Sequence, residues 1–139
     1  MPDSPNLNAV LLCDAAVSTG KWNLIGIFSA IMPKQVPFLH HFQIYVRVAD
    51  MHTSGRLRMD ISRSNGDNGE KEELWSAEIE LRTSSTEHAM AKLVELGCPV
   101  QCIFPDYGVY DITVRHIGGK KSEHIIGNTT LIVTRGKEA

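Results

Sequence analysis

The segment FQIYVRV, from Phe42 to Val48, sets Phe42, Ile44, Val46 and Val48 in strict alternation with Gln43, Tyr45 and Arg47. An apolar side chain at every second position suits a β-strand with one face buried and the other in water. The same period returns in RLRMDIS, with Leu57, Met59 and Ile61 inward and Arg58 and Asp60 outward. It returns again in ELWSAEIELR, where Trp75, Ala77, Ile79 and Leu81 oppose Ser76, Glu78, Glu80 and Arg82. The turn-rich SNGDNGE between these two runs predicts a hairpin.

Nearer the start, NAVLLCD and WNLIGIFSAI are apolar on both faces, the pattern of innermost strands covered on either side, and Gly20-Lys21 in STGK turns the chain between them. Toward the end, GVYDITVRH places Tyr110, Ile112 and Val114 inward, IGGKKSEH supplies a loop, and NTTLIVT closes with β-branched residues. The stretch SSTEHAMAKLVELGCPVQCIF admits two readings. Ser84 with Glu87 reads as a capping box for a short helix that Gly97 and Pro99 would stop. The alternation of Val94, Leu96, Cys98, Val100, Cys102 and Phe104 favours strand from about Ala91 to Phe104, with Pro99 at an edge or bulge and a helical turn still possible near Glu87. Seven or eight strands with little helix predict an all-β fold, a single antiparallel β-sandwich over residues 1–139 with an ordered core at about 8–135.

The 139 residues suit one domain, and no run approaches the ~18 apolar residues that span a bilayer. MPDSPNLN carries no positive charge ahead of an apolar stretch, so neither a secretory signal nor membrane insertion is expected and the cytoplasm is the expected compartment. A net charge of −2 with both signs scattered along the chain offers no field for a phosphate backbone, and nucleic acid is not expected as a partner. Three cysteines cannot pair fully. In a strand Cys98 and Cys102 stand about 13 Å apart, beyond the ~7 Å reach of a disulfide.

The stretches LLCD at 11–14, GKWNLIGIF at 20–28, Pro37 ahead of FQIYVRV, and FPDYGVYDITV at 104–114 resemble an uncharacterised bacterial family of small β-sandwich proteins, a domain of unknown function. The resemblance follows the chain in order over nearly its whole length. It implies an immunoglobulin-like sandwich in a bacterial cytoplasmic protein, and brings no activity, cofactor or catalytic residue with it. GCPVQCI at 97–103 is richer in cysteine than that pattern. In such sandwiches Gly108 lets the backbone turn, and Tyr110 buries its ring while its hydroxyl bonds a loop carbonyl as a tyrosine corner.

Candidate chemistry is sparse. Cys13 would need a cation such as Lys21 to become a nucleophile, and the competing reading is a small apolar residue where the first strand ends, with Asp14 accepting from turn amides. Cys98 and Cys102 with His116, or with His40 and His41, have ligand chemistry suited to zinc but not the spacing of a closed site. His40-His41 is expected to split between solvent and core edge. No Ser-His-Asp set, Gly-rich phosphate loop or His-Glu-x-x-His is present in the sequence. If the strands at 42–48, 56–63 and 74–82 are neighbours, Tyr45, Arg47, Arg58, Glu78, Glu80 and Arg82 project from one face, which serves either as a salt-bridged solvated surface or as a binding face. The expectation is a non-enzymatic binding or accessory module that recognises a protein partner by surface contact, without cofactor or metal. The alternatives are a metal- or thiol-dependent enzyme centred on Cys98, Cys102 and His116, and a homo-oligomer built through edge strands.

Overall fold

A computed structural model describes residues 5–49, 55–65, 70–81, 93–118 and 123–136. Its described residues form nine strands: β1 Asn6–Ser18, β2 Trp22–Phe28, β3 Ala30–Ile31, β4 Phe38–Ala49, β5 Gly55–Asn65, β6 Glu70–Leu81, β7 Val94–Phe104, β8 Gly108–Ile117 and β9 Glu123–Val133. Four make one sheet in the order β2-β1-β4-β7, and five make the other in the order β3-β9-β8-β5-β6. The all-β sandwich is as expected, with more strands than the seven or eight read from the sequence. Its pairs are antiparallel except β3 with β9, where the two residues of β3 run parallel to Ile132 and Val133.

Period two decides which side chains fill the space between the sheets. From β4, Phe42, Ile44, Val46 and Val48 point inward; from β5, Leu57, Met59 and Ile61; from β8, Tyr110, Ile112 and Val114; and all are buried in one cluster. Each such side chain contributes roughly 1.5–3 kcal/mol by leaving water. Leu57 pairs with Ile79 and Met59 with Ala77, so the hairpin predicted around SNGDNGE is present as β5–β6. An aromatic line runs through one end of the core: Phe28 and Phe42 meet edge-to-face at 5.6 Å, Phe42 and Phe104 stack at 6.4 Å, and Phe104 meets Tyr110 at 5.0 Å.

The strand reading of 91–104 holds for Val94–Phe104, while the helical alternative around Glu87 lies outside the described residues. Pro99 sits on β7, at the edge of its sheet, where a missing N–H costs no ladder bond. Two expectations are corrected. β2 is an edge strand and not an innermost one, and its apolar second face is not covered as a central strand's would be. β4 also lies in the opposite sheet from β5 and β6, so the strands at 42–48, 56–63 and 74–82 are not neighbours. Alternation fixes which way side chains point but not which strand lies beside which.

Candidate functional site

Separation of the sheets divides the polar face read from the sequence. Arg58, Glu78 and Glu80 lie on the outer face of β5–β6, where Arg58 bonds Glu73 at 2.6 Å and approaches Glu78 at 3.9 Å, and Arg56 approaches Glu78 at 3.5 Å. Tyr45 and Arg47 project from the outer face of the other sheet, and Arg82 lies outside the described residues. Tyr45 is only 6% exposed, with the Trp22 ring 5.7 Å away and its hydroxyl donating to the Glu95 carboxylate. Burial, then that carboxylate, pushes its pKa up to about 12. The six residues therefore form no single face.

Nor do the thiols and imidazoles converge. Cys98 and Cys102 point into the core from β7, with Ile44 and His40 as cross-strand partners, and His116 lies on β8 of the other sheet beside Leu57 and His124. Among the described residues no group of three or more His, Cys, Asp and Glu side chains is placed to hold a metal. Burial raises both thiols, Cys102 to about 11, which is opposite to the shift that activates a nucleophile. Burial, followed by the Asp14 charge, also raises Cys13, whose thiol donates to the Gln43 carbonyl at 3.8 Å. Cys13-Asp14 does not end a strand, since β1 runs on to Ser18. His41 is exposed, whereas His40 lies among the Phe28, Phe38 and Phe42 rings with its Nε2 unpartnered, the split expected of this pair. His116 Nε2 is likewise buried without a partner. Burial lowers the pKa of both imidazoles.

The Tyr110 hydroxyl donates to the Asp106 carbonyl at 2.6 Å, as the tyrosine-corner reading anticipates. Beside it opens a cleft of about 620 Å³ lined by Arg63, Ser64, Asp106, Tyr107 and Val109. Among its described lining residues the one cation is already engaged: Arg63 donates to Glu72 at 2.9 Å and to Asp106 at 2.7 Å. An anionic ligand would have to displace two carboxylates.

The uneven distribution of charge points elsewhere. The β5–β6 half of the second sheet is laced with ion pairs, but no Asp, Glu, Lys or Arg occurs from Trp22 to Met32 or from Ile125 to Val133. These two runs supply β2, β3 and most of β9, which meet at the side of the sandwich where β2 gives way to β3 and the chain crosses between sheets. Ile25 and Ile27 on β2 are each 58% exposed, and Met32, Ile125 and Ile132 are also exposed, Ile132 beside its cross-strand partner Val109 on the outer face of the second sheet. A groove of about 210 Å³ joins the two sheets at this side, lined by Val10, Leu12, Ile27, Phe28, Thr129 and Thr130.

The β3–β9 ladder is short. Ile132 and Thr134 donate their N–H groups to Ser29 and Ile31, so even-numbered residues of β9 aim their amides away from β8 at that end. Pairing with β3 stops at Ile132, so among the described residues no strand pairs with Thr130 or Asn128 on that side. β7 and β6 also lie at sheet edges, but β7 carries Pro99 and β6 is dense in charge, two features that discourage strand addition. β2 and β9 carry neither. No sequence signal marked this side, because an uncharged strand reads as buried until its neighbours are known.

No curated protein matches the chain. A family model does match, from within β1 to within β9, over residues 8–126. The chain belongs to that family, DUF6941, a family of unknown function.

Proposed function

We propose that the chain is a non-enzymatic binding module that recognises a protein partner through the uncharged side formed by β2, β3 and β9. The observation that carries this reading is the segregation of charge: β2, β3 and most of β9 hold no Asp, Glu, Lys or Arg yet leave isoleucines exposed, and ion pairs occupy the β5–β6 half of the second sheet. Exposed apolar patches of this kind, rimmed by polar groups, mark interaction sites. Recognition would bury Ile25, Ile27 and Ile132 and satisfy free backbone groups of β2 or β9 with an added strand, the mode that takes affinity from main-chain bonds and specificity from alternate side chains. The partner is a second protein or a second copy of this chain, in a reducing cytoplasm that keeps the three buried thiols free.

Lysines at Ile27 and Ile132, both solvent-facing, test the reading. Native mass spectrometry of the wild type reports copy number, and partner co-purification is then compared among wild type, Ile27→Lys/Ile132→Lys and a control, Glu78→Lys on the charged side. Loss of the partner or of self-association only in the first variant, with melting temperature kept, is expected. Equal loss in the control, or none in either, would overturn this assignment of the surface.

A further inference from the structure

β1 changes its pairing at Cys13. Leu7 and Ala9 to Cys13 pair with β4, whereas Ala15 to Ser18 pair with β2 alone. The tip of this hairpin nevertheless returns to the first sheet. Trp22 reaches the Tyr45 ring, and a Cβ on Gly97 would meet the Ala16 Cβ at 3.0 Å and the Trp22 ring at 3.5 Å. Tyr45 and Gly97 are cross-strand partners level with Leu11, behind the point where β1 leaves β4. For Ala16 and Trp22 to lie there, the hairpin must double back over the outer face of the sheet. The turn occurs around Gly26, which has φ +69°, and Asp14, whose carboxylate fills the space a Cβ on Gly26 would need.

Burial of Cys13 is consistent with the same geometry. Its side chain is fully buried, yet it stands outside the core cluster that includes Cys98 and Cys102. It pairs with Gln43, on the outward-facing set of β4 together with Tyr45, so the returning hairpin covers it and the core does not.

We propose that the hairpin from Ala15 to Ile25 is a strap, hinged at Asp14 and Gly26, that lifts from the outer face of the β4–β7 pair as a unit while Phe28 stays in the core and the sandwich stays folded. The ladder between Ala15–Ser18 and Trp22–Ile25 is internal to the hairpin and survives lifting. What opens is the Trp22–Tyr45 contact, the seat of Ala16 on the bare backbone of Gly97, and the cover over Cys13. A segment held by few tertiary contacts opens at a smaller free-energy cost than the whole domain. The strap needs no partner to open; it carries Ile25 of the proposed binding surface, and its opening is read at Cys13 whether or not that surface binds.

The three native cysteines report on this motion. Under native conditions with a thiol-specific alkylating reagent, and with mass spectrometry resolving each site, Cys13 is expected to react at least about tenfold faster than Cys98 and Cys102. Trp22→Ala is expected to speed Cys13 by about a further tenfold while leaving the two core thiols within about twofold, and Gly97→Ala, which crowds the seat, acts in the same direction. Wild-type hydrogen exchange provides a reading that needs no variant: amides of residues 15–25 exchange together, ahead of Ile44 and Met59. Three thiols reacting together at the rate of global unfolding, or hairpin amides as protected as those of β4 and β5, would overturn the strap.

Discussion

The Tyr110 hydroxyl, donating to the Asp106 carbonyl at 2.6 Å, ties the PDYG turn to the strand that follows it. The ring is almost fully buried against Phe104, so hydroxyl and ring can be tested separately. Tyr110→Phe is expected to lower the unfolding free energy by about 0.5–1.5 kcal/mol for the lost bond. Tyr110→Ala, which empties the site, is expected to cost about 3–5 kcal/mol. Urea denaturation of both variants measures the difference. A Phe variant as damaged as the Ala variant would contradict the split.

Asp60 is a second buried polar anchor. It lies on the outer face of β5 but is covered, and its one described ion-pair partner is Arg115, which also reaches Glu123 at 3.5 Å. Burial raises the Asp60 carboxyl despite the guanidinium beside it. Arg115→Ala is therefore expected to destabilise by about 1–3 kcal/mol by leaving a desolvated carboxylate unpaired. Adding Asp60→Asn should recover part of that loss. The exposed Arg56–Glu78 pair is the contrast, and Arg56→Ala is expected to cost no more than about 1 kcal/mol. Denaturation of the three variants checks the order.

His40 and His116 make stability depend on acidity. Both have folded pKa values below the ordinary 6.5 because burial disfavours the imidazolium. The unfolded chain therefore binds more protons than the folded one as pH falls below about 6.5, so stability declines there until pH passes the folded values. Above pH 7 both imidazoles are neutral in either state and the effect vanishes. Melting temperatures at pH 7.5 and 5.5 are expected to drop less for His40→Leu/His116→Leu than for wild type. Identical drops would assign the acid sensitivity to other groups.

Much of the fold was legible because alternation is a local property. Phe42 to Val48, Leu57 to Ile61, Trp75 to Leu81 and Tyr110 to Val114 each declare a buried face without reference to any other strand. Tyr45 shows where that reasoning stops: its parity is outward as read, but a hairpin from elsewhere in the chain covers it. Ile25 and Ile27 fail in the opposite sense. Their run is apolar on both faces, which reads as a central strand, yet β2 is an edge strand on a hairpin that leaves its sheet. The grouping of Tyr45 and Arg47 with Arg58, Glu78 and Glu80 failed because no local signal says which sheet a strand joins. The uncharged side was hidden for the same reason, being assembled from runs about a hundred residues apart, Trp22–Met32 and Ile125–Val133.

Photo-crosslinking in the producing cell tests the assigned surface most directly. A photoreactive amino acid is placed singly at Ile27, Ile132 or Thr130 on the uncharged side, and at Glu78 or Arg56 on the charged side. Discrete crosslinked products, to another protein or to a second copy, are expected from the first three positions and not from the last two. Products from the charged positions alone, or from none of the five, would contradict recognition through the β2–β3–β9 side.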